Sequence, residues 1–332
     1  MKIDTLPLPD SAIDFLKSQG YEKLYPPQSD SVKFGLLNGK SILVSAPTAS
    51  GKTLIAMLAM LSYLSKNKGK VVYLSPLRAL AAEKFTEFKK LEKISIGNKI
   101  KTGISTGDFE HIEKNLESSN VLILTNEKMD SIIRHGAEWI EEIGLVISDE
   151  VHLIGDEGRG PTLEMILTHL KLLDTKPQIV GLSATITNSD EIAKWLDCKL
   201  VKNDWRPVPL SEGVCDGGQV TMSDGKTFEV KPSLRGIPID LGVQCVQEGG
   251  QSLVFAATRV SSKSLATKAS DIISQFLQKK ELSALEKTSK QILAENEHTE
   301  IVKTLATLVK KGVAFHHAGL NQKCREIVEK EF

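Results

Sequence analysis

Apolar residues along this chain fall into two periods. Short runs without polar interruption, SILVS at 41–45, VVYLS at 71–75, VLILT at 121–125, LVIS at 145–148 and IVGLS at 179–183, alternate with stretches of helical spacing such as Thr53 to Leu64 and Leu80 to Leu91. A strand that lacks polar alternation is buried on both faces. Strands of that kind alternating with helices predict βαβ units and a parallel, doubly wound sheet, so the fold class is α/β. Each run ends on Ser or Thr before a loop. Those loops therefore lie at the carboxyl ends of the strands, where open α/β sheets bind ligands.

The pattern changes near Lys202, where NDWRPVPLSEGV carries two prolines and no helical period. This divides the chain into a first domain, 1–203, and a second, 204–332. The stretch Val214 to Val230 has short β-prone pieces around Ser223-Asp224-Gly225 and reads as a hairpin. A second α/β unit is expected to begin with the strand SLVFAATR at 252–259. A long charged helical region from Ser261 to Lys311 follows, then a strand GVAFHH at 312–317. Two strands are too few for a complete α/β domain, and the expectation is a sequence cut inside its second domain.

Composition alters this picture only slightly. The 42 basic and 42 acidic residues cancel, so no global field draws the chain onto nucleic acid or an anionic membrane, and any such binding is local. Cys198, Cys215, Cys245 and Cys324 are widely separated, without a CxxC pair, and read as free thiols. The most apolar stretch, Leu54 to Leu61, is too short to span a bilayer, and MKIDTLPLPD lacks a signal segment, so a cytoplasmic protein with no membrane partner is expected.

Chemistry concentrates at two strand ends. APTASGKT, Ala46-Pro47-Thr48-Ala49-Ser50-Gly51-Lys52-Thr53, follows a strand and opens a helix, the context of a phosphate loop. Amides converging at a helix N-terminus favour an anion, and Gly51 lets the backbone approach it closely. Lys52 is expected to reach the β- and γ-phosphates of ATP, and the Thr53 hydroxyl to ligate Mg²⁺. Ala46 replaces the first glycine of the strict pattern, and a Gly-Ser helix start with a surface lysine is the alternative. Asp149 and Glu150 end the strand LVIS, where buried acid is costly without a cation. Asp149 is read as holding Mg²⁺ through water and Glu150 as the general base, against a solvated acidic loop. His152 is read as a relay of γ-phosphate status or as a satisfied histidine.

With APTASGKT, DEVH at 149–152 and SAT at 183–185 in this order, the chain resembles superfamily-two helicases of the DExH type. The resemblance implies a RecA-like first domain followed by part of a second, a coupling role for Ser183 and Thr185, and adenine reading by Gln28 of LYPPQ. A polar loop after Pro-Pro is the alternative for Gln28. SPLRALAAEK at 75–84, STGDF at 105–109, TNEKMDSIIRH at 125–135, DEVHLIGDEGRGPTLE at 149–164 and DWRPVPLSEG at 204–213 are similar to the Ski-two-like branch, and resemble its archaeal DNA-repair helicases more than its RNA helicases. That branch implies ATP-driven 3′ to 5′ movement on single-stranded DNA and an association with stalled, forked DNA. A monomer is expected, with protein partners left open. The family's two later motifs, including its arginines for the transferring phosphate, have no counterpart before Phe332, so efficient hydrolysis by this stretch alone is not expected.

Loops at strand ends supply a phosphate track of Arg78, Thr106, Gly107, Thr125, Asn126 and Lys128, with helix capping as the alternative for Thr125 and Asn126. ATR at 257–259 and FHHAGL at 315–320 resemble further backbone-holding motifs, which implies Arg259 and His317. Adjacent His316 and His317 on a strand would face opposite ways, against a shared metal. Two rival readings remain, an RNA-directed Ski-two-like helicase and a nucleotide-switched scaffold without motor activity.

Overall fold

The computed structural model describes residues 1–107, 116–232, 235–297 and 299–332. The chain divides into two compact units, Met1–Pro209 and Leu210–Phe332.

The first unit is built on seven strands: β1 (Ile42–Ser45), β2 (Lys70–Ser75), β3 (Thr102–Ser105), β4 (Val121–Thr125), β5 (Ile143–Ser148), β6 (Gln178–Ser183) and β7 (Lys199–Lys202). All pair in parallel, in the order β3-β4-β2-β5-β6-β1-β7. Their residues alternate between two cores. Ile42, Val44, Val71, Tyr73, Leu145, Ile147, Val180 and Leu182 face one, while Leu43, Val72, Leu74, Val146 and Ile179 face the other. Burial on both faces is why these segments carry no polar alternation. The first core is closed by helices that include α1 (Asp10–Ser18), α3 (Lys52–Lys66) and α4 (Arg78–Phe88), with α2 (Pro26–Lys33) beside them. The second is closed by α5 (Asn126–His135), α6 (Gly160–Lys171) and α7 (Ser189–Trp195). This is the RecA-like arrangement implied by the resemblance.

The second unit contains an antiparallel meander, β8 (Gly213–Asp216), β9 (Gln219–Met222) and β10 (Thr227–Glu229), whose β9–β10 turn holds Ser223-Asp224-Gly225. The long helical region is broken into α9 (Arg259–Ile273), α10 (Lys279–Ala294) and α11 (Glu300–Val309), flanked by α8 (Ile237–Gln247) and α12 (Gln322–Glu331). The strands expected at 252–259 and 312–317 are not formed; both segments are irregular up to the start of α9 and after α11. Apolar β-prone composition gives a segment the propensity for a strand, but a strand also needs a neighbour to take its backbone hydrogen bonds. Neither segment has a ladder partner among the described residues, and Phe255 is 90% exposed.

Among the described residues no helix is long and apolar enough to cross a membrane. The four cysteines are free, and burial, aided by Asp197, pushes the Cys198 thiol up to about 12, so it stays protonated.

Candidate nucleotide site and nucleic-acid track

The loop 46–53 connects β1 to α3 at the carboxyl edge of the sheet. Ala49 (φ 64°) and Gly51 (φ 84°) are both left-handed, which turns the loop tightly over the start of α3. Ala46 and Pro47 are buried, Thr48 and Ala49 are exposed, and Ser50 is buried with its hydroxyl lacking a hydrogen-bond partner. Lys52 folds back on the loop, its Nζ donating to Ala46 O at 2.8 Å and Pro47 O at 3.2 Å. Burial lowers its pKa; Glu150 and then Asp149 pull the other way, and Arg206 adds a like charge.

Gln28 locks the loop from α2. Its Oε1 accepts from Tyr25 N at 2.7 Å and its Nε2 donates to Gly51 O at 3.1 Å. A Cβ on Gly51 would lie 2.1 Å from that Nε2, so glycine is required by space as well as by φ. Gln28 is 2% exposed, which leaves one N–H and one lone pair of its amide uncommitted. Beside it Tyr25 packs against Trp205, the rings tilted by 41° with centroids 4.4 Å apart, which brings the segment after β7 to the loop's edge.

The carboxylates end β5, two strands from β1. Asp149 Oδ2 accepts from Tyr73 OH at 2.6 Å, and Oδ1 accepts from Glu150 N at 3.0 Å. Tyr73 is fully buried; burial first and Asp149 second hold its pKa well above the usual 10.0, so the phenol remains a donor. Glu150 is left-handed at φ 50°, and its Oε2 lies 3.2 Å from His152 Nδ1 without hydrogen-bond alignment. Thr53 Oγ1 accepts from Lys84 Nζ at 3.0 Å.

β6 ties the SAT segment to the phosphate loop. Ala46 N donates to Ser183 O at 3.1 Å and Ser45 Oγ to Ala184 O at 3.3 Å. The Ser183 hydroxyl is buried without a partner, while Thr185 is exposed. The strand end and the loop backbone are thus bonded directly to one another.

The track residues of the first unit gather at the ends of β2, β3 and β4. Pro76, Leu77, Arg78, Thr106, Gly107, Thr125, Glu127 and Lys128 line a cleft of about 300 Å³. Arg78 is exposed at the start of α4. Thr125 caps α5, its Oγ1 accepting from Lys128 N at 3.3 Å, and Asn126 is 3% exposed with Oδ1 lacking a partner. Asp108 and Phe109 of STGDF lie outside the described residues. In the second unit Arg259 and His317 converge on Gly319. His317 Nδ1 accepts from Gly319 N at 3.0 Å, and Arg259 Nη1 lies 3.6 Å from where a Gly319 Cβ would be. His316 instead pairs with Glu329 at 2.7 Å.

Three contributors escape sequence reasoning: Tyr73, Lys84 and Trp205. Only Tyr73 leaves a signal, because a tyrosine inside an otherwise apolar buried run needs a partner for its hydroxyl.

The donors fit a nucleotide with a divalent cation. Ser50 and Ser183 hydroxyls are buried without partners at the loop and Ser148 likewise at the end of β5, Gly51 admits close approach, and Asp149 keeps free lone pairs. The residues that could hold the metal are Thr53 and Asp149; those that could hold the phosphates are the amides of 48–53 and Lys52.

Comparison with known proteins accords with this geometry. The chain is similar to the "ATP-dependent DNA helicase Hel308" of Thermococcus kodakarensis, 42% identical over 332 residues, and of Methanocella arvoryzae, 43% over 333 residues. The Pyrococcus horikoshii protein of the same name is 42% identical over 332 residues. Each match covers 100% of this chain but only 28%, 45% and 44% of the respective relative, so the chain spans less than half the length of these relatives. The DEAD/DEAH box helicase profile matches residues 25–192, just over half the chain, and on that match the chain belongs to the DEAD/DEAH box helicase family.

Proposed function

We propose that the chain carries the nucleotide-binding wall and the first part of the strand track of an ATP-dependent DNA helicase, which moves 3′ to 5′ on single-stranded DNA and acts at forks. The observation that carries the reading is the convergence at one sheet edge of Lys52, Thr53, Asp149 and Glu150, with Lys52 hydrogen-bonded to Ala46 O and Ala46 N hydrogen-bonded to Ser183 O. Residues 1–203 are read as the first RecA-like domain and 204–332 as the beginning of the second. The protein is read as cytoplasmic and monomeric.

In this reading the loop amides and Lys52 bind and orient the phosphates. Lys52 must leave the Ala46 and Pro47 carbonyls to do so, and its half-buried position makes an anionic partner favourable. Thr53 and Asp149 hold Mg²⁺, which when bound screens phosphate charge and aligns the terminal group for attack. Tyr73 fixes the Asp149 carboxylate so that its free lone pairs face the site. Glu150 accepts the proton of the attacking water at Oε2, which takes no aligned hydrogen bond within the protein. His152, 3.2 Å away, relays the status of the γ-phosphate. Gln28 reads the base with its remaining donor and acceptor while pinning Gly51. Ser183 and Thr185 pass movement of the loop to the strand track formed by Arg78, Thr106, Gly107, Thr125, Asn126 and Lys128; Arg259 and His317 of the second unit are read, by themselves, as further backbone contacts.

The test is steady-state ATP hydrolysis by the full-length protein with single-stranded DNA or RNA. The reading expects stimulation by DNA, loss of it in Lys52→Ala, and little hydrolysis by residues 1–332 alone. Stimulation by RNA only would make the RNA-directed reading correct. Nucleotide binding with no hydrolysis under any condition would favour a switched scaffold.

A further inference from the structure

Lys84 closes the segment SPLRALAAEK, two turns into α4, and has no role of its own in the nucleotide reading, yet its ammonium donates to the Thr53 hydroxyl at 3.0 Å. The same Nζ is held by Glu87 Oε2 at 3.0 Å and Glu83 Oε1 at 3.2 Å, and the Lys84 side chain is only 13% exposed. Two carboxylates therefore flank the ammonium. A cation thus sits on the hydroxyl that the nucleotide reading assigns to Mg²⁺. Two cations sharing one oxygen lie a few ångströms apart and repel one another strongly in a partly desolvated site. Both cannot occupy Thr53.

We propose that Lys84 is a tethered counter-cation of the metal site, which holds the Thr53 hydroxyl without nucleotide and withdraws onto Glu87 and Glu83 when Mg²⁺ enters. The proposal rests on the nucleotide reading given above. Lys84 acts here as a positioning residue: it keeps Thr53 Oγ1 directed at the cation position, and its two carboxylates give the displaced ammonium a seat that needs no new desolvation. The helix that carries it begins at Arg78, so the exchange occurs on the element that also lines the nucleic-acid cleft.

Two substitutions push the exchange in opposite directions. Lys84→Met removes the competing charge and leaves both carboxylates near the metal. Glu87→Gln weakens the seat to which the ammonium retreats. The experiment titrates MgCl₂ into the chain with fluorescent mant-ADP and reads the half-saturating Mg²⁺ for binding, with thermal melts without nucleotide to verify folding. The half-saturating Mg²⁺ is expected to fall roughly three- to tenfold in Lys84→Met and to rise by a similar factor in Glu87→Gln. In EDTA, mant-ADP affinity is expected to fall in Lys84→Met, because a cation near the phosphates is gone. A merely structural lysine would weaken binding in both variants alike. Unshifted half-saturating Mg²⁺, or shifts of the same sign, overturns the Lys84 assignment; should Lys84→Met not fold, an unshifted or lowered value in Glu87→Gln overturns it alone. No mant-ADP binding by the unsubstituted chain at any Mg²⁺ overturns the nucleotide reading itself.

Discussion

The two candidate sites of the first unit lie on the same sheet edge and are built differently. At the ends of β1 and β5 nearly every functional side chain is held by the protein: Lys52 by two loop carbonyls, Gln28 by Tyr25 and Gly51, Asp149 by Tyr73, Thr53 by Lys84. At the ends of β2, β3 and β4, Arg78 is exposed, and Thr125 is committed to a backbone amide of its own helix. The difference follows from the ligand each would take. A triphosphate presents fixed charges at fixed spacing, which rewards a preorganised, partly desolvated cage. A sliding strand presents a repeating phosphate that must be gripped and released, which favours exposed, individually weak contacts.

The largest expected effect tests the caged side. Lys52→Ala is expected to weaken mant-ADP binding by roughly 100-fold or more, since a charge-assisted contact in a half-buried site is lost; a change below about threefold would mean that the loop does not bind phosphate. Tyr73→Phe comes next. It removes the side-chain donor to the half-buried Asp149 Oδ2 and is expected to cost about 1–2 kcal/mol in urea-denaturation stability. The pH dependence has a definite sign. The folded pKa of Tyr73 lies above its unfolded value near 10.0, so the folded state keeps a proton that the unfolded state gives up. Its contribution is full below pH 10 and is lost as pH rises beyond it, and Tyr73→Phe is expected to flatten that alkaline limb. Equal limbs in both proteins would contradict the buried phenol–carboxylate bond.

Smaller effects test the open side. Arg78→Ala is expected to weaken single-stranded DNA binding by the full-length protein by about 1 kcal/mol and to lower the slope of log K against log salt by about one, leaving mant-ADP affinity unchanged. Loss of nucleotide affinity as well would mean that the two sites are not separable. Thr125→Ala is expected to cost about 1 kcal/mol of stability through the lost cap and to weaken DNA binding less than Arg78→Ala does; unchanged stability with a larger loss of DNA affinity would make Thr125 a phosphate contact first.

Much of this architecture was legible before the fold was known, and the omissions have physical causes. The central strands β1, β2, β4, β5 and β6 announce themselves because both faces are buried. Edge strands β3 and β7, TGIS and KLVK, mix polar positions into short segments and leave no continuous apolar run. The apolar runs at 252–259 and 312–317 carry strand propensity, but propensity cannot supply a ladder partner. The phosphate loop and carboxylates are local patterns at strand ends and are readable as such. Lys84 meets Thr53 across 31 positions and Tyr73 meets Asp149 across 76, through tertiary packing that no local pattern encodes.

The central claim is that this sheet edge binds a nucleotide together with a divalent cation. Calorimetric titration of ADP into the chain, with and without Mg²⁺, tests it most directly. The account predicts one site per chain, tighter with Mg²⁺ than in EDTA, and absent in Lys52→Ala. Binding that is indifferent to both Mg²⁺ and Lys52→Ala, or no binding at millimolar ADP, would contradict it.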